Sequence, residues 1–246
     1  MTKEDILKWN KISNNFAKFT ASDPFKNEFI YPMILKELGT IKSKRILDLG
    51  SGSGEFAKKI AALGADVTGI DGSKKLIQIA NNDSSPNIKF VQSDLNKKTR
   101  LKNSSFNFVT FVYSLMDIEK YEIAINESYR VLKNKGELLI TISHPCFTTP
   151  VFIGKRGILG RVNLKLTSIK WESYFEKRKI NKNIIKNYTT THYHRTVSDY
   201  INTIIETGFT IRKISEPKMN DKLIKKTGFF MGKYFPKVLF IKAIKS

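Results

Sequence analysis

The stretch Arg45-Ile46-Leu47-Asp48-Leu49-Gly50-Ser51-Gly52-Ser53-Gly54 decides how the chain is read. Ile46, Leu47 and Leu49 make an apolar run too short for a helix and closed by glycine, which predicts a buried parallel strand. Glycine then stands at every second position, and from Glu55 the period turns helical, with Phe56, Ile60 and Leu63 on one face. A strand, a glycine loop and a helix start together cradle a small ligand. Glycine lets the backbone come close to it, and the free N–H groups of a first helical turn favour a carboxylate or phosphate.

Working outward, residues 65–71 read as a second strand ending in Asp71, about 20 residues beyond the loop. A nucleoside-binding α/β fold places a carboxylate there to accept from ribose hydroxyls. Asp71-Gly72-Ser73 then opens a helix with Leu76, Ile77 and Ala80 as its apolar stripe, for which Ser73 also reads as an N-cap. Residues 88–92 are a third strand, followed by Ser93-Asp94-Leu95. Residues 106–113 are nearly all apolar and so predict a central fourth strand, with Ser114 to Asp117 at the sheet edge where open α/β sheets bind ligands. An amphipathic helix over 121–132, a turn at 133–136 and a fifth strand over 137–143 come next. After a long insertion, a helix over 198–207, a sixth strand over 209–214 and a seventh over 237–241 complete the pattern.

Asp48, Gly50, Gly52 and Gly54 spell D-x-G-x-G-x-G, which resembles motif I of the class I S-adenosylmethionine-dependent methyltransferases of small-molecule, methyltransferase-11-like type. A dehydrogenase would space its glycines as G-x-G-x-x-G. The phrase RVLKNKGELLI at 130–140 resembles the family's junction of fourth helix and fifth strand, and Ser93-Asp94-Leu95 its adenine site. His-Pro-Cys-Phe at 144–147 and Tyr-His-Arg-Thr-Val-Ser-Asp-Tyr at 193–200 are similar to the borders of the insertion in small-molecule members. The resemblance implies an α/β, Rossmann-like seven-stranded sheet of order 3-2-1-4-5-7-6, strand 7 antiparallel, flanked by helices and carrying a substrate cap after strand 5. It also implies one domain, with a helical lid over 1–40, a cofactor core over 41–145, the cap over 146–196 and the end of the sheet over 197–246. The implied cofactor is S-adenosyl-L-methionine, leaving S-adenosyl-L-homocysteine as product. Asp48, Gly50, Ser51, Gly52 and Gly54 would hold its methionine end, Asp71 with Gly72 and Ser73 its ribose, and Asp94 and Leu95 its adenine, with Tyr113 in the same set.

Methyl transfer from a sulfonium requires alignment and, for a hydroxyl or ammonium acceptor, removal of a proton. Histidine is the usual base, which makes His144, at the end of the fifth strand, and His194, at the exit of the insertion, the catalytic candidates. Trp9, Tyr113, His144, Tyr174, His192 and His194 form the candidate substrate-binding set. The insertion, with Trp171, Tyr174, Phe175, Tyr188 and Tyr193, reads as a cap over the methyl donor. Residues 4–39 read as lid helices with a break at Ser22-Asp23-Pro24 and a stop at Gly39, and residues 217–236 as a loop that helps to close the pocket. The expected reaction moves a methyl group to an oxygen or nitrogen of a small molecule.

Forty-three Lys and Arg against 22 Asp and Glu give a net charge of +21, which makes tRNA or rRNA the alternative acceptor. The excess is mostly lysine spread along the chain, without an aromatic-interleaved basic motif. Ser114-Leu115-Met116-Asp117 stands in place of the Asn/Asp-Pro-Pro-aromatic tetrapeptide of DNA amino-group methylases, and Tyr113-Ser114-Leu115 stands where RNA cytosine methylases carry a Pro-Cys. Cys146 alone therefore reads as a cap-hinge residue, and a single cysteine rules out an internal disulfide and a metal cluster. No apolar run suits a bilayer and no apolar signal core follows Met1, so a cytoplasmic protein away from membranes is expected. A non-catalytic module that binds S-adenosylmethionine is the alternative of another class.

Overall fold

The structure is a computed structural model that describes residues 2–82, 84–147, 151–153, 168–170, 174–185 and 188–246. Trp171 of the expected cap lies outside the described residues.

The apolar runs become the middle of one sheet. β1 (Arg45–Leu49), β2 (Asp66–Asp71), β3 (Ile88–Gln92), β4 (Phe106–Val112) and β5 (Leu132–Ser143) lie parallel. The insertion supplies two antiparallel hairpins, β6 (Val151–Ile153) with β7 (Ser168–Lys170), and β8 (Arg178–Ile185) with β9 (Tyr188–His194). β10 (Phe209–Ser215) and β11 (Val238–Lys245) finish the sheet, with β11 antiparallel to both β5 and β10. The order β3-β2-β1-β4-β5-β11-β10 is the expected Rossmann-like topology once the hairpins are set aside.

Side chains alternate across each strand, so both faces need cover. Ile46 and Leu139 pack with Ile34 and Leu38 of α2 (Tyr31–Leu38), Ile60 of α3 (Glu55–Ala62) and Ile77 of α4 (Lys74–Asn81). Their neighbours Leu47 and Ile140 pack on the other face with Ile125 of α5 (Tyr121–Val131) and with Tyr200 and Ile204 of α6 (Val197–Glu206). The predicted turn at 133–136 is a bulge inside β5. Phe106 pairs with Leu132 but Phe108 with Glu137, so the ladder skips these residues and Lys135 turns left-handed at φ 60°. The predicted loop over 217–236 contains α7 (Asp221–Thr227), capped by Asn220 and ended by Gly228 at φ 68°. Only Leu223 and Ile224 are buried along α7, too short an apolar signal to read as a helix.

The lid helix α1 (Lys3–Ser22) starts at a capping box between Thr2 and Asp5, and a π-helical turn (Lys26–Ile30) leads on to α2. Asn10 of α1 accepts from the Ser73 hydroxyl (2.7 Å) and the Lys75 N–H (3.2 Å) at the start of α4. On its other flank α1 holds the β8–β9 hairpin. Tyr193 donates its hydroxyl to Asp5 (2.7 Å), and the Lys8 ammonium donates to Thr191 (3.0 Å). The lid and the hairpin therefore meet above the carboxyl edge of β1 and β4. Among the described residues no helix is long and apolar enough to cross a membrane.

Candidate active site

The glycine loop takes its shape from neighbours that leave no room for side chains. Gly50 has φ 76°, and a Cβ there would stand 2.3 Å from the Ser114 Cβ. Gly54 has φ 84°, and a Cβ there would stand 2.5 Å from Cζ of Phe90. Both positions require glycine. The Gly50 and Ser51 N–H groups donate to the Ile70 carbonyl at 2.7 and 3.0 Å, which ties the loop to the end of β2. Asp71 completes the tie, its carboxylate accepting from the Gly52 N–H at 3.0 Å and the Ser73 N–H at 2.8 Å. Burial raises the Asp71 carboxyl above its ordinary range, against the lowering pull of those N–H groups. Each of its oxygens keeps a further lone pair for a hydroxyl donor.

Asp48 lies beneath the loop and accepts from the Thr110 hydroxyl at 2.8 Å. Burial pushes it up to about 7, and the Asp71 charge adds to the rise while the Thr110 bond and Lys26 oppose it. Above Asp48 and the loop lies an open cleft. Trp9 and Phe16 of α1 roof it; Asp48, Gly50, Ser51, Gly52 and Asp71 floor it; Leu95, Tyr113 and Asp117 wall it. Tyr113 sits directly after β4 at φ 58°, a strained conformation for an aromatic residue, and its ring packs edge-on to Phe25 at 5.7 Å.

The buried side-chain oxygens Ser51 Oγ, Tyr113 Oη and Asp117 Oδ1 face this cleft without a hydrogen-bond partner among the described residues. Buried polar atoms are otherwise nearly always paired, so this set marks a place built for a polar ligand. His192 of β9 stands beside Asp117 at the edge of this cleft, and with Met116, Tyr193 and His194 it lines a second, smaller hollow. Its Nε2 lies 3.3 Å from Asp117 Oδ1, poorly aligned for a hydrogen bond, and both ring nitrogens are unpartnered. Burial, helped by the Lys182 charge, lowers His192 to about 3, while burial raises Asp117 well above its ordinary value against Lys182 and Lys26. Both shifts favour the uncharged form of the group concerned.

The remaining predicted residues hold the frame around the cleft. Ser73 caps α4 and bonds Asn10, beside Gly72, whose carbonyl accepts from Gln92, while Gly54 faces Phe90. The Asp94 carboxylate accepts from the Asn96 N–H at 3.0 Å. His144 is 2% exposed; its Nδ1 accepts from the Cys146 N–H (3.2 Å), so Nε2 carries the proton towards Glu216 (2.6 Å). His194 Nε2 donates to the Tyr174 carbonyl (2.8 Å), and the Tyr174 hydroxyl accepts from the Val197 N–H (2.8 Å). His144, Tyr174 and His194 therefore anchor the two ends of the insertion and do not line the main cleft. Asp117 and Lys26, which do line it, carry no local sequence motif. Their only signals were Asp117's place after the fourth strand and Lys26's place after the lid break.

The family described as "Methyltransferase domain" matches residues 47–140, which span β1 to β5 and contain the whole glycine loop. The chain is 29% identical to an uncharacterized protein of Haemophilus influenzae over 240 residues, 94% of this chain and 92% of that protein. It is 31% identical to the demethylmenaquinone methyltransferase of Staphylococcus aureus over 159 residues, spanning 61% of this chain but only 64% of that enzyme. The crystal structure of an S-adenosylmethionine-dependent methyltransferase from Mesorhizobium loti shares the fold with a TM-score of 0.72 at 23% identity, covering 87% and 96% of the two chains. Residues 47–140 form a methyltransferase domain, within a chain that has the fold of the S-adenosylmethionine-dependent methyltransferases.

The methyltransferase cleft fits its cofactor on its own geometry. A backbone-lined floor with no room for side chains, a buried carboxylate at the end of β2 and an acid beneath the loop suit a nucleoside carrying an amino-acid end. When bound, S-adenosylmethionine supplies an electrophilic methyl group. The chain's part is to bind and orient, to shut out water beneath Trp9 and Phe16, and to handle one proton.

Proposed function

We propose that this methyltransferase methylates an oxygen or nitrogen of a small molecule, admitted beneath α1 and the β8–β9 hairpin. One observation carries the reading. The unpartnered atoms of Tyr113, Asp117 and His192 converge where the cofactor cleft meets the cap, the place at which an acceptor would lie. In this proposal Asp48 and the loop from Gly50 to Gly54 take the methionine end, Asp71 the ribose with Gly72 and Ser73 as its support, and Leu95 the adenine with Asp94 shaping its turn. The neutral His192 imidazole holds a free lone pair that accepts a hydrogen bond from the acceptor and orients it beside Asp117. His144 and His194 act through the cap they anchor. The name of the Staphylococcus aureus relative supports a small-molecule acceptor, and a cytoplasmic setting agrees with such a substrate.

The net charge of +21 is the observation that favours the second reading, an acceptor within tRNA or rRNA. Calorimetric titration of nucleic-acid-free protein with S-adenosylmethionine and S-adenosylhomocysteine, followed by labelled-methyl transfer into small-molecule extract and into bulk RNA, separates the readings. Micromolar binding with label in the small-molecule pool supports the proposal, and label in RNA alone replaces it with the second reading. Binding without any transfer would leave the non-catalytic module.

A further inference from the structure

We infer that the acceptor is a small anionic molecule, its acidic group held by Lys182 and Lys237 while its reacting end meets Tyr113, Asp117 and His192. The inference rests on the methyltransferase reading above and adds the chemical class of the acceptor.

The register of the β8–β9 hairpin places the first lysine. Lys182 pairs with Thr190 and Ile180 with His192, so Lys182, Thr190 and His192 share one face of the hairpin. That face turns towards the end of β4, because His192 reaches Asp117. The opposite face, with Thr191 and Tyr193, is taken up by α1. On the inward face Thr190 is fully buried and its hydroxyl lacks a partner, just as the His192 nitrogens do. Lys182 is half-buried beside them and has no ion pair within 4 Å among the described residues.

The second lysine arrives from the far end of the sequence. β11 runs antiparallel to β5, with Val238 opposite Ser143, so Lys237 stands at the same carboxyl edge. Its ammonium lies 3.9 Å from the centroid of the Phe25 ring and 4.6 Å from that of Phe229, and Phe25 in turn packs on Tyr113. Lys237 is thus one aromatic ring away from the cleft wall, and among the described residues it also lacks an ion pair. Lys26, beside Phe25 in the sequence, lines the cleft itself.

Lys182 and Lys237 feel each other's charge, and Asp117 and Asp23, the carboxyls that act on them, form no ion pair with either among the described residues. Burial depresses Lys182 and Lys237; Asp23 opposes the fall of Lys237, the charge of Lys182 adds to it, and Lys237 is lowered to about 8. Asp117, the carboxyl that eases Lys182, is itself driven towards its neutral form by burial. Like charges gathered beside unpaired hydrogen-bonding groups are unfavourable, and an anionic ligand with polar substituents relieves both defects at once. A neutral, purely apolar acceptor relieves neither.

The test separates soluble small-molecule extract by ion exchange into anionic, neutral and cationic pools before reaction. Each pool is then incubated with the full chain and labelled S-adenosylmethionine. Labelled product from the anionic pool alone is expected. Lys182→Met and Lys237→Met should raise the KM for that acceptor at least tenfold while S-adenosylhomocysteine affinity stays within twofold, and Lys237→Arg should restore part of the loss. Label from the neutral or cationic pool, or unchanged KM in both methionine variants, overturns the inference. If no pool is labelled, protein saturated with S-adenosylhomocysteine is titrated with benzoate, inorganic phosphate and benzamide. Saturable binding of an anion but not of benzamide, lost in Lys182→Met, supports the inference, and no anion binding overturns it. Failure of the wild-type chain to bind S-adenosylhomocysteine would instead overturn the parent reading.

Discussion

The two halves of the cleft are built on opposite principles. On the glycine-loop side the backbone is engaged, with the Gly50, Ser51 and Gly52 N–H groups and the Ser73 N–H finding acceptors within β2 or Asp71, and Ser51 Oγ is left open. On the cap side Tyr113, Asp117, Thr190 and His192 carry buried polar atoms with no partner. The first half is a preorganised backbone mould for one invariant ligand shape. The second is an array of side chains from β4, β8, β9 and the approach to β11, and it is completed only by what binds there. A satisfied frame resists change as a unit, whereas the open corner can be retuned residue by residue without disturbing the frame.

The sharpest way to break this contrast is Asp71→Ala. It removes the acceptor of two loop N–H groups. At about 1.5–3 kcal/mol for each charged hydrogen bond, affinity for S-adenosylhomocysteine should fall a hundredfold or more in calorimetry. On the open side, His192→Phe should leave that affinity within twofold but lower kcat by about a hundredfold, the scale of a lost alignment of the acceptor. Equal damage to both parameters in single-turnover and binding assays would mean that the two sides are one unit.

Next in size is a pH effect. Asp48 is raised from 3.8 to about 7, so its proton stabilises the fold fully below pH 3.8, and that contribution is lost as pH climbs through 7. His192 acts in the opposite direction. Lowered from 6.5 to about 3, it contributes stability that is present above pH 6.5 and lost as pH falls towards 3. Asp48→Asn should therefore gain stability over wild type as pH rises from 4 to 8, by on the order of 2 kcal/mol in chemical denaturation. A constant difference across that range would show that Asp48 does not titrate there. The smallest effect concerns the latch between the halves: Tyr193→Phe loses one bond to Asp5 and should cost about 1 kcal/mol. It should also speed hydrogen exchange in α1 with little change around β1.

The glycine-loop side was legible because its information is local. Asp48, the alternating glycines and Asp71 lie within one strand–loop–helix–strand unit, and residue type alone fixes what the backbone must do there. The strands were legible as apolar runs between turn signals, while their order in the sheet was what the family resemblance implied. Of the cap side, residue types alone offered Tyr113 and His192 as candidates but neither Asp117 nor the two lysines. Histidine chemistry pointed to His144 and His194, but whether an imidazole is free depends on groups that sequence spacing does not reveal. Glu216 and Cys146 hold His144, and the Tyr174 carbonyl holds His194. Lys182 and Lys237 stand 55 positions apart, and only a hairpin register together with an antiparallel last strand brings them to one edge. Helix α7 was missed on a smaller scale, because two buried residues do not set a period.

The placement of β11 between β5 and β10 has a consequence for how the chain acquires its shape on the ribosome. β10 pairs only with β11, and β5 lacks its second neighbour until β11 arrives. The cofactor half of the sheet, β1 to β5, can assemble while synthesis continues, but β10 stays without a partner strand until Val238–Lys245 has emerged. The acceptor corner, which waits for Lys237, is therefore the last part of the molecule to exist. For much of its synthesis the nascent chain holds a nearly finished cofactor cradle and no acceptor site.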